Sequence, residues 1–148
     1  MREILFRGKT TKKDNEIKEF NEIWVYGDLI ESNGKYYIHP KANCFRVESE
    51  LAKLMCCHEV IPETVGQFTG LTDKGKKVFE GDIVKVRITQ TEDKQTYGGC
   101  KYKIGVIVYN ENFALFTCKN NFMNFVNWAF NDYEVIGNIH DHELMGNE

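Results

Sequence analysis

The sequence LIESNGKYYI at residues 29–38 predicts a β-hairpin. The pair Asn33-Gly34 tolerates the positive φ angles of a type I′ turn, and strand-forming residues flank it on both sides. A two-residue loop fixes the register, so Ile30 should face Tyr37 and Leu29 should face Ile38 across the hairpin. The first predicted element is thus an antiparallel pair of strands with a defined register.

Short alternating runs of apolar and polar residues continue this pattern along the chain, with the period of half-buried strands. Strands are predicted at residues 2–8, 22–30, 82–88, 102–110, 113–119 and 133–139. Pro62 predicts one helical turn, and apolar residues at helical spacing predict a short helix at about 120–130. Residues 46–61 are compatible with a helix or a strand, and the polar stretches 9–21 and 89–100 are predicted to be long loops.

These elements predict a mainly β fold with minor α+β content, in which short antiparallel strands are joined by one or two short helices and form a small barrel. The chain has 148 residues, 42% of them hydrophobic and 28% charged, which is typical of one soluble globular domain. We expect a single domain with an N-terminal hairpin region at about 1–60 and a barrel-like region at about 61–140. No apolar run approaches the ~20 residues that span a bilayer, so a membrane protein is not expected.

Charge is unevenly distributed along the chain. The formal net charge is −3, which disfavours a protein coated for nonspecific nucleic-acid binding. Residues 73–103, however, carry eight Lys or Arg and five Asp or Glu, a net +3, whereas residues 104–148 carry one basic and six acidic residues, a net −5. The middle of the chain is therefore the candidate for a surface that faces anions.

The five cysteines are odd in number and contain no C-x-x-C pair, which disfavours a disulfide framework or a Cys-rich zinc site. The N-terminal residues lack the apolar stretch of a signal peptide, so we expect the protein to be cytoplasmic. The histidines do not show paired ligand spacing on rigid elements, and neither a metal site nor a cofactor is predicted. Carboxylates such as Glu80 and Asp82 fall on one side of an extended strand, a spacing that is common at solvated edges. No catalytic residue is assigned.

Residues 61–86, IPETVGQFTGLTDKGKKVFEGDIVKV, resemble the YopX family of phage- and prophage-encoded proteins. Further resembling segments are REILFRGK (2–9), WVYGDLI (24–30), YYIHP (36–40) and EVIGNIHD (134–141). The resemblance extends from about residue 2 to residue 144, with an insertion at 14–20 and with His142 where the family more often has proline. It implies a mainly β protein with an SH3-like barrel in the second half, and a gene of phage origin, but it implies no reaction.

The resembling segments have structural interpretations. Gly81 should adopt an unusual φ at a turn into a barrel strand, while Asp82 caps local amides. The stretch from Gly66 to Gly70 is interpreted as a close-packed corner that is anchored in the core by Phe68. A phosphate-binding loop is not predicted there, because the second glycine leads into another turn instead of a helix.

Three classes of function remain, and a non-enzymatic protein-interaction or self-assembly module is preferred among them. Nineteen aromatic residues are numerous for a small domain, and any that lie outside the core would mark an interface with another protein or a second copy. The alternative is a nucleic-acid-binding small barrel that combines cations with a stacking aromatic residue. Its candidate residues are Lys85, Arg87, Lys101, Tyr102 and Lys103. An unrecognised hydrolase is the third interpretation.

Overall fold

The computed structural model describes residues 1–11, 24–40, 57–88, 101–120, 124–125, 127–130 and 132–142. The strands are β1 (Phe6–Lys9), β2 (Trp24–Ser32), β3 (Lys35–Pro40), β4 (His58–Val60), β5 (Gly66–Asp73), β6 (Lys76–Phe79), β7 (Asp82–Ile88), β8 (Lys101–Asn110), β9 (Leu115–Lys119), β10 (Asn124–Phe125) and β11 (Tyr133–Asn138). Helical structure in these residues is limited to 3-10 turns at Pro62–Thr64 and Trp128–Phe130 and a single α-helical turn, α1, at Ile139–His142. The predicted mainly β fold is confirmed. No helix of the described residues is long and apolar enough to cross a membrane.

The chain divides into two compact units, residues 1–70 and residues 71–148. A six-stranded sheet has the order β4-β3-β2-β1-β5-β6, and a five-stranded sheet has the order β10-β9-β8-β7-β11. The β2–β3 hairpin has the predicted register, with Leu29 opposite Ile38 and Ile30 opposite Tyr37. Its turn is the predicted one, because both central residues have positive φ angles, 52° at Asn33 and 75° at Gly34.

The first unit contains two fully buried apolar side chains. Ile38 and Val60 are 0% and 1% exposed, and an isolated bridge joins Val60 to Thr10, just beyond β1. Backbone hydrogen bonds from Ile61 N to Lys9 O (2.8 Å) and from Thr11 N to Glu59 O (3.0 Å) flank this bridge. The strand β4 is last in the sheet order, where it pairs with β3. The isolated bridge and the two hydrogen bonds also join β4 to the end of β1.

The second unit has its core on one face of the five-stranded sheet. The fully buried members of this core are Val78, Val84, Val86, Ile107, Cys118 and Trp128. Alternation along β7 gives the predicted division, since Val84 and Val86 are buried while Lys85 is half-buried and Arg87 is exposed. The strands β8 and β9 form the second predicted hairpin through a turn at residues 111–114.

The helix predicted at about 120–130 is wrong in the residues that the structure describes. Phe125 lies in β10, where it pairs with Cys118 of β9, and only Trp128–Phe130 form a 3-10 turn. Asparagine side chains compete for backbone hydrogen bonds and weaken helices, and the edge of β9 offers an alternative set of partners. The buried Trp128 is fixed by donation from its Nε1 to the carbonyl of Phe116 (3.1 Å).

Two further expectations are revised by the structure. The predicted corner at residues 66–70 is part of the extended strand β5, although Phe68 is buried as expected and Gly70 has a positive φ of 89°. An SH3-like barrel in the second half is not confirmed, because the five described strands form an open order with β10 and β11 at the two edges. The predicted loop at 89–100, most of the loop at 9–21 and most of the ambiguous stretch 46–61 lie outside the described residues.

Candidate binding face

One face of the second sheet is turned away from the core, and we call it the outer face. In an antiparallel ladder, residues directly opposite each other project from the same side. Lys85 lies opposite Ile104 and Arg87 lies opposite Tyr102, so β8 continues the face that begins on β7. The register puts these described residues on the outer face: Ile83, Lys85 and Arg87 of β7, Tyr102, Ile104, Val106, Val108 and Asn110 of β8, Leu115, Thr117 and Lys119 of β9, and Asp132, Glu134 and Ile136 in or beside β11. Thr117 is fully buried, so the face is covered at that point.

The five residues predicted to contact nucleic acid are divided between the two faces. The strands β7 and β8 are paired, and this pairing brings Lys85, Arg87 and Tyr102 together on the outer face. Lys103 lies opposite the buried Val86, and this register places it on the core side, whereas Lys101 begins β8 opposite Ile88. The cations therefore do not form a single five-residue stripe, and whether the outer three contact nucleic acid stays a prediction.

Tyr102 forms a cation–π contact on the outer face. The Lys85 ammonium nitrogen lies 4.3 Å from the centroid of the Tyr102 ring, whose side chain is 54% exposed. On the other side of β7, Glu134 lies opposite Lys85, and the carbonyl of Asp132 accepts a hydrogen bond from Arg87 N at 2.8 Å. The outer face thus has a column of cations on β7 between acidic residues at β11 and an aromatic residue on β8.

Large aliphatic side chains also lie exposed on the outer face. Ile104 is 54% exposed and Ile136, which lies at a register shift in β11, is 50% exposed. Sequence reasoning missed both, because β8 is apolar on both of its faces and alternation alone does not say which one is buried. Gly105 is the residue of β8 that indicates which of its faces is buried. A Cβ atom there would lie 2.6 Å from Sγ of Cys118 and 2.8 Å from the carbonyl oxygen of Lys119. The face of β8 that contains Gly105 is therefore the packed one.

The edge of the sheet at β11 is occupied by the end of β5. The Asp73 carboxylate accepts a hydrogen bond from Val135 N at 3.0 Å, and the Tyr133 hydroxyl donates one to the carbonyl of Thr72 at 2.7 Å. An edge amide that is already satisfied is a poor template for an added strand. The β11 edge is therefore already hydrogen-bonded at Val135.

The conspicuous carboxylates near the β6–β7 turn bind backbone amides. Asp82 is 3% exposed and accepts a hydrogen bond from Phe79 N at 2.8 Å, as the predicted cap requires. Glu80 accepts a longer one from Tyr109 N at 3.3 Å. Between them Gly81 has a φ of 92°, its N–H donates to the Ile107 carbonyl, and its own carbonyl accepts from Ile139 N. This turn therefore connects β7, β8 and α1.

Two groups of the second core have raised pKa values. Burial raises the pKa of the Cys118 thiol to about 11. Burial, followed by the nearby Asp73 carboxylate, raises the pKa of the Tyr133 hydroxyl. Both groups stay protonated near neutral pH, so Cys118 lacks the thiolate character of a catalytic cysteine. Among the described residues, no three His, Cys, Asp or Glu side chains converge in a way that would hold a metal ion.

The model of the family described as YopX protein matches residues 9–145, nearly the whole chain. Neither a curated protein nor a solved structure matches it. The segments that resemble the family include most of β2, the Gly81-Asp82 turn and most of β11. On the extent of the family match, the chain belongs to the YopX protein family.

Proposed function

We propose that this YopX-family chain is a phage-type accessory protein of the cytoplasm that binds a protein partner through its outer face and catalyses no reaction. The observation that carries this proposal is the placement of Tyr102, Ile104 and Ile136, each at least half exposed, on one face of one sheet. Clustered apolar groups on a surface mark interaction sites more often than isolated ones do. Tyrosine is, moreover, enriched in the centres of protein interfaces.

The remaining chemistry of the described residues supports binding over turnover. Asp82 and Glu80, the carboxylate pair considered for a hydrolase, accept hydrogen bonds from backbone amides. The Cys118 thiol is buried, and burial raises its pKa to about 11. These groups stabilise the sheet. Tyr102, Ile104 and Ile136 present apolar surface to solvent on the outer face, and Tyr109, Phe113 and Ile139 do so elsewhere in the second unit.

Site-specific photo-crosslinking tests the proposal. A photoreactive phenylalanine analogue is placed at Ile104 or Ile136, and the exposed Lys76 of β6 provides a matched control in the same unit. The two face positions should give the same crosslinked adduct in bacterial cytoplasm, and the control should not give it. An adduct of twice the chain mass would identify the partner as a second copy. Identical adducts at all three positions, or none at the face positions, would contradict the proposal.

Nucleic-acid binding is the second candidate, and it is favoured by the three residues that the register brings together. Arg87 lies opposite Tyr102, and Lys85 lies over the same ring. Nucleic-acid binding ranks second because Lys85 already occupies one face of the Tyr102 ring, and a stacked base needs a face of that ring.

Fluorescence anisotropy with single-stranded DNA, duplex DNA and RNA at two salt concentrations tests this second candidate. The variant Lys85→Glu/Arg87→Glu should abolish salt-sensitive binding, and the matched variant Lys74→Glu/Lys76→Glu, whose two lysines are exposed outside this face, should retain it. An absence of binding at low salt, where electrostatic attraction is strongest, would eliminate the candidate.

A further inference from the structure

We infer, on the basis of the proposed function, that the outer face takes an amphipathic helix whose apolar stripe is flanked by carboxylates. The inference rests on the pattern of charge around the apolar column of β8. It names the chemistry of the partner, which the exposure of the face alone leaves open.

The apolar column has the dimensions of a short helical stripe. Tyr102, Ile104 and Val106 occupy three successive outward positions of β8. At about 3.4 Å per residue they extend over roughly 14 Å. A helix of 5.4 Å pitch covers that length in between two and three turns, so a stripe of apolar residues at i, i+3 and i+4 spacing matches the column.

Cations border this column on both sides. On one side, Lys85 and Arg87 lie opposite Ile104 and Tyr102 across the β7–β8 ladder. On the other side, the exposed Lys119 of β9 lies opposite Val106. A helix that rests on β8 would therefore have a positive charge beside it at each flank, where carboxylates are favoured and ammonium groups are not.

The acidic residues of the outer face lie farther from the column. Asp132 and Glu134 are at β11, which is separated from β8 by the whole of β7. With neighbouring strands about 4.8 Å apart, these acids are roughly 10 Å from the axis of β8, whereas the cations of β7 are at half that distance. The charge nearest the docked segment is positive, although the chain as a whole carries −3.

Two matched peptides test the inference directly. Both are 21-residue heptad helices with leucine at positions a and d, and they differ only at positions e and g, which are all Glu in one peptide and all Lys in the other. Each is labelled and titrated with the full chain at low and at moderate salt, with anisotropy as the readout. The Glu peptide should bind at least about tenfold more tightly than the Lys peptide, and the difference should shrink as salt screens the flanking charges.

Three variants separate the contributions to binding. Lys85→Glu/Lys119→Glu should reverse the preference between the two peptides. The matched variant Lys74→Glu/Lys76→Glu, in the β5–β6 turn and β6, should leave it unchanged. Ile104→Ser should weaken both peptides equally, because it removes apolar contact without changing charge. Circular dichroism confirms that each variant is folded.

The outcomes distinguish this inference from the proposed function. Equal affinity for both peptides, with both weakened by Ile104→Ser, would overturn the inference and support the protein-binding face. No binding of either peptide at 1 mM would also overturn the inference, and the crosslinking adducts at Ile104 would decide the proposed function separately. Displacement of the Glu peptide by a DNA or RNA oligonucleotide would assign the cations to nucleic acid and overturn the inference as well.

Discussion

Replacing Gly27 with alanine should destabilise the first unit strongly, because β2 and β3 approach each other closely at this residue. A Cβ atom at Gly27 would overlap the carbonyl oxygen of His39, and it would lie 2.7 Å from the His39 carbonyl carbon and 3.0 Å from Cα of Pro40. Carbon atoms pack at about 3.5–4.0 Å, so the contact with the carbonyl carbon alone would require the strands to separate by roughly 0.8 Å, and the overlap with the carbonyl oxygen would require more. Overpacking costs about 1–3 kcal/mol, and each ladder hydrogen bond lost costs about 1 kcal/mol more. We therefore expect a loss of about 3–4 kcal/mol.

Urea unfolding followed by tryptophan fluorescence measures this loss, with Trp24 in the first unit and Trp128 in the second. At about 2–4 °C per kcal/mol, the melting temperature of Gly27→Ala should fall by roughly 10 °C. The matched control is Gly137→Ala in β11, where an added Cβ atom would have nothing within 4 Å. The control should be unchanged or stabilised by up to about 1 kcal/mol, because alanine restricts the unfolded chain. Equal stabilities of the two variants would refute the close approach of β2 and β3.

Three further substitutions probe the second unit, each measured by urea unfolding. Asp82→Ala leaves the buried amide of Phe79 without its acceptor and should cost about 1–3 kcal/mol; a loss below 0.5 kcal/mol would argue against the cap. Gly105→Ala should cost about 1–3 kcal/mol of stability. The double variant Gly105→Ala/Cys118→Ala should recover only part of that loss, because the Lys119 carbonyl oxygen also lies 2.8 Å from the new methyl group. Full recovery of stability would contradict the close contact with Lys119. Burial raises the pKa of Cys118 from 9.0 to about 11, so this thiol ionises at a lower pH in the unfolded chain than in the folded one. The free energy of unfolding should therefore fall between pH 9 and pH 11 more steeply in the wild type than in Cys118→Ala. Equal pH dependence of the two proteins would contradict the raised pKa.

The elements that the sequence predicted correctly are those determined by local chemistry. Asn33-Gly34 specifies its turn without reference to any distant residue, and the register of β2 and β3 follows from it. The Gly81-Asp82 turn is similar, since a positive φ and a cap three residues away are local requirements. The helix at about 120–130 failed because the stability of that segment depends on the exposed edge of β9, which is contributed by a different part of the chain.

The candidate site was predicted only in part, because the sequence does not show which alternate residues of β8 lie on the same face as Lys85 and Arg87. The alternation of Lys85 and Arg87 with buried valines located the outer face of β7. Which residues of β8 share that face depends on register across an undescribed connection, and a shift of one residue exchanges Tyr102 for its neighbours Lys101 and Lys103. Grouping all three by proximity in sequence therefore included Lys103, which lies on the other side of the sheet.

The segments that resemble the family and the face proposed to bind a partner contain different residues of this chain. Gly27, Asp73 and Asp82 lie in the segments that resemble YopX proteins, and each has a structural role: a close strand approach, a satisfied edge amide and a turn cap. Tyr102 and Ile104 lie outside those segments, on the face proposed to bind. Surface residues that make no structural contact can change at little cost in stability, whereas the scaffold residues cannot. The family resemblance thus includes residues that hold the sheets together, and we expect the side chains that this chain displays on β8 to select the proposed partner.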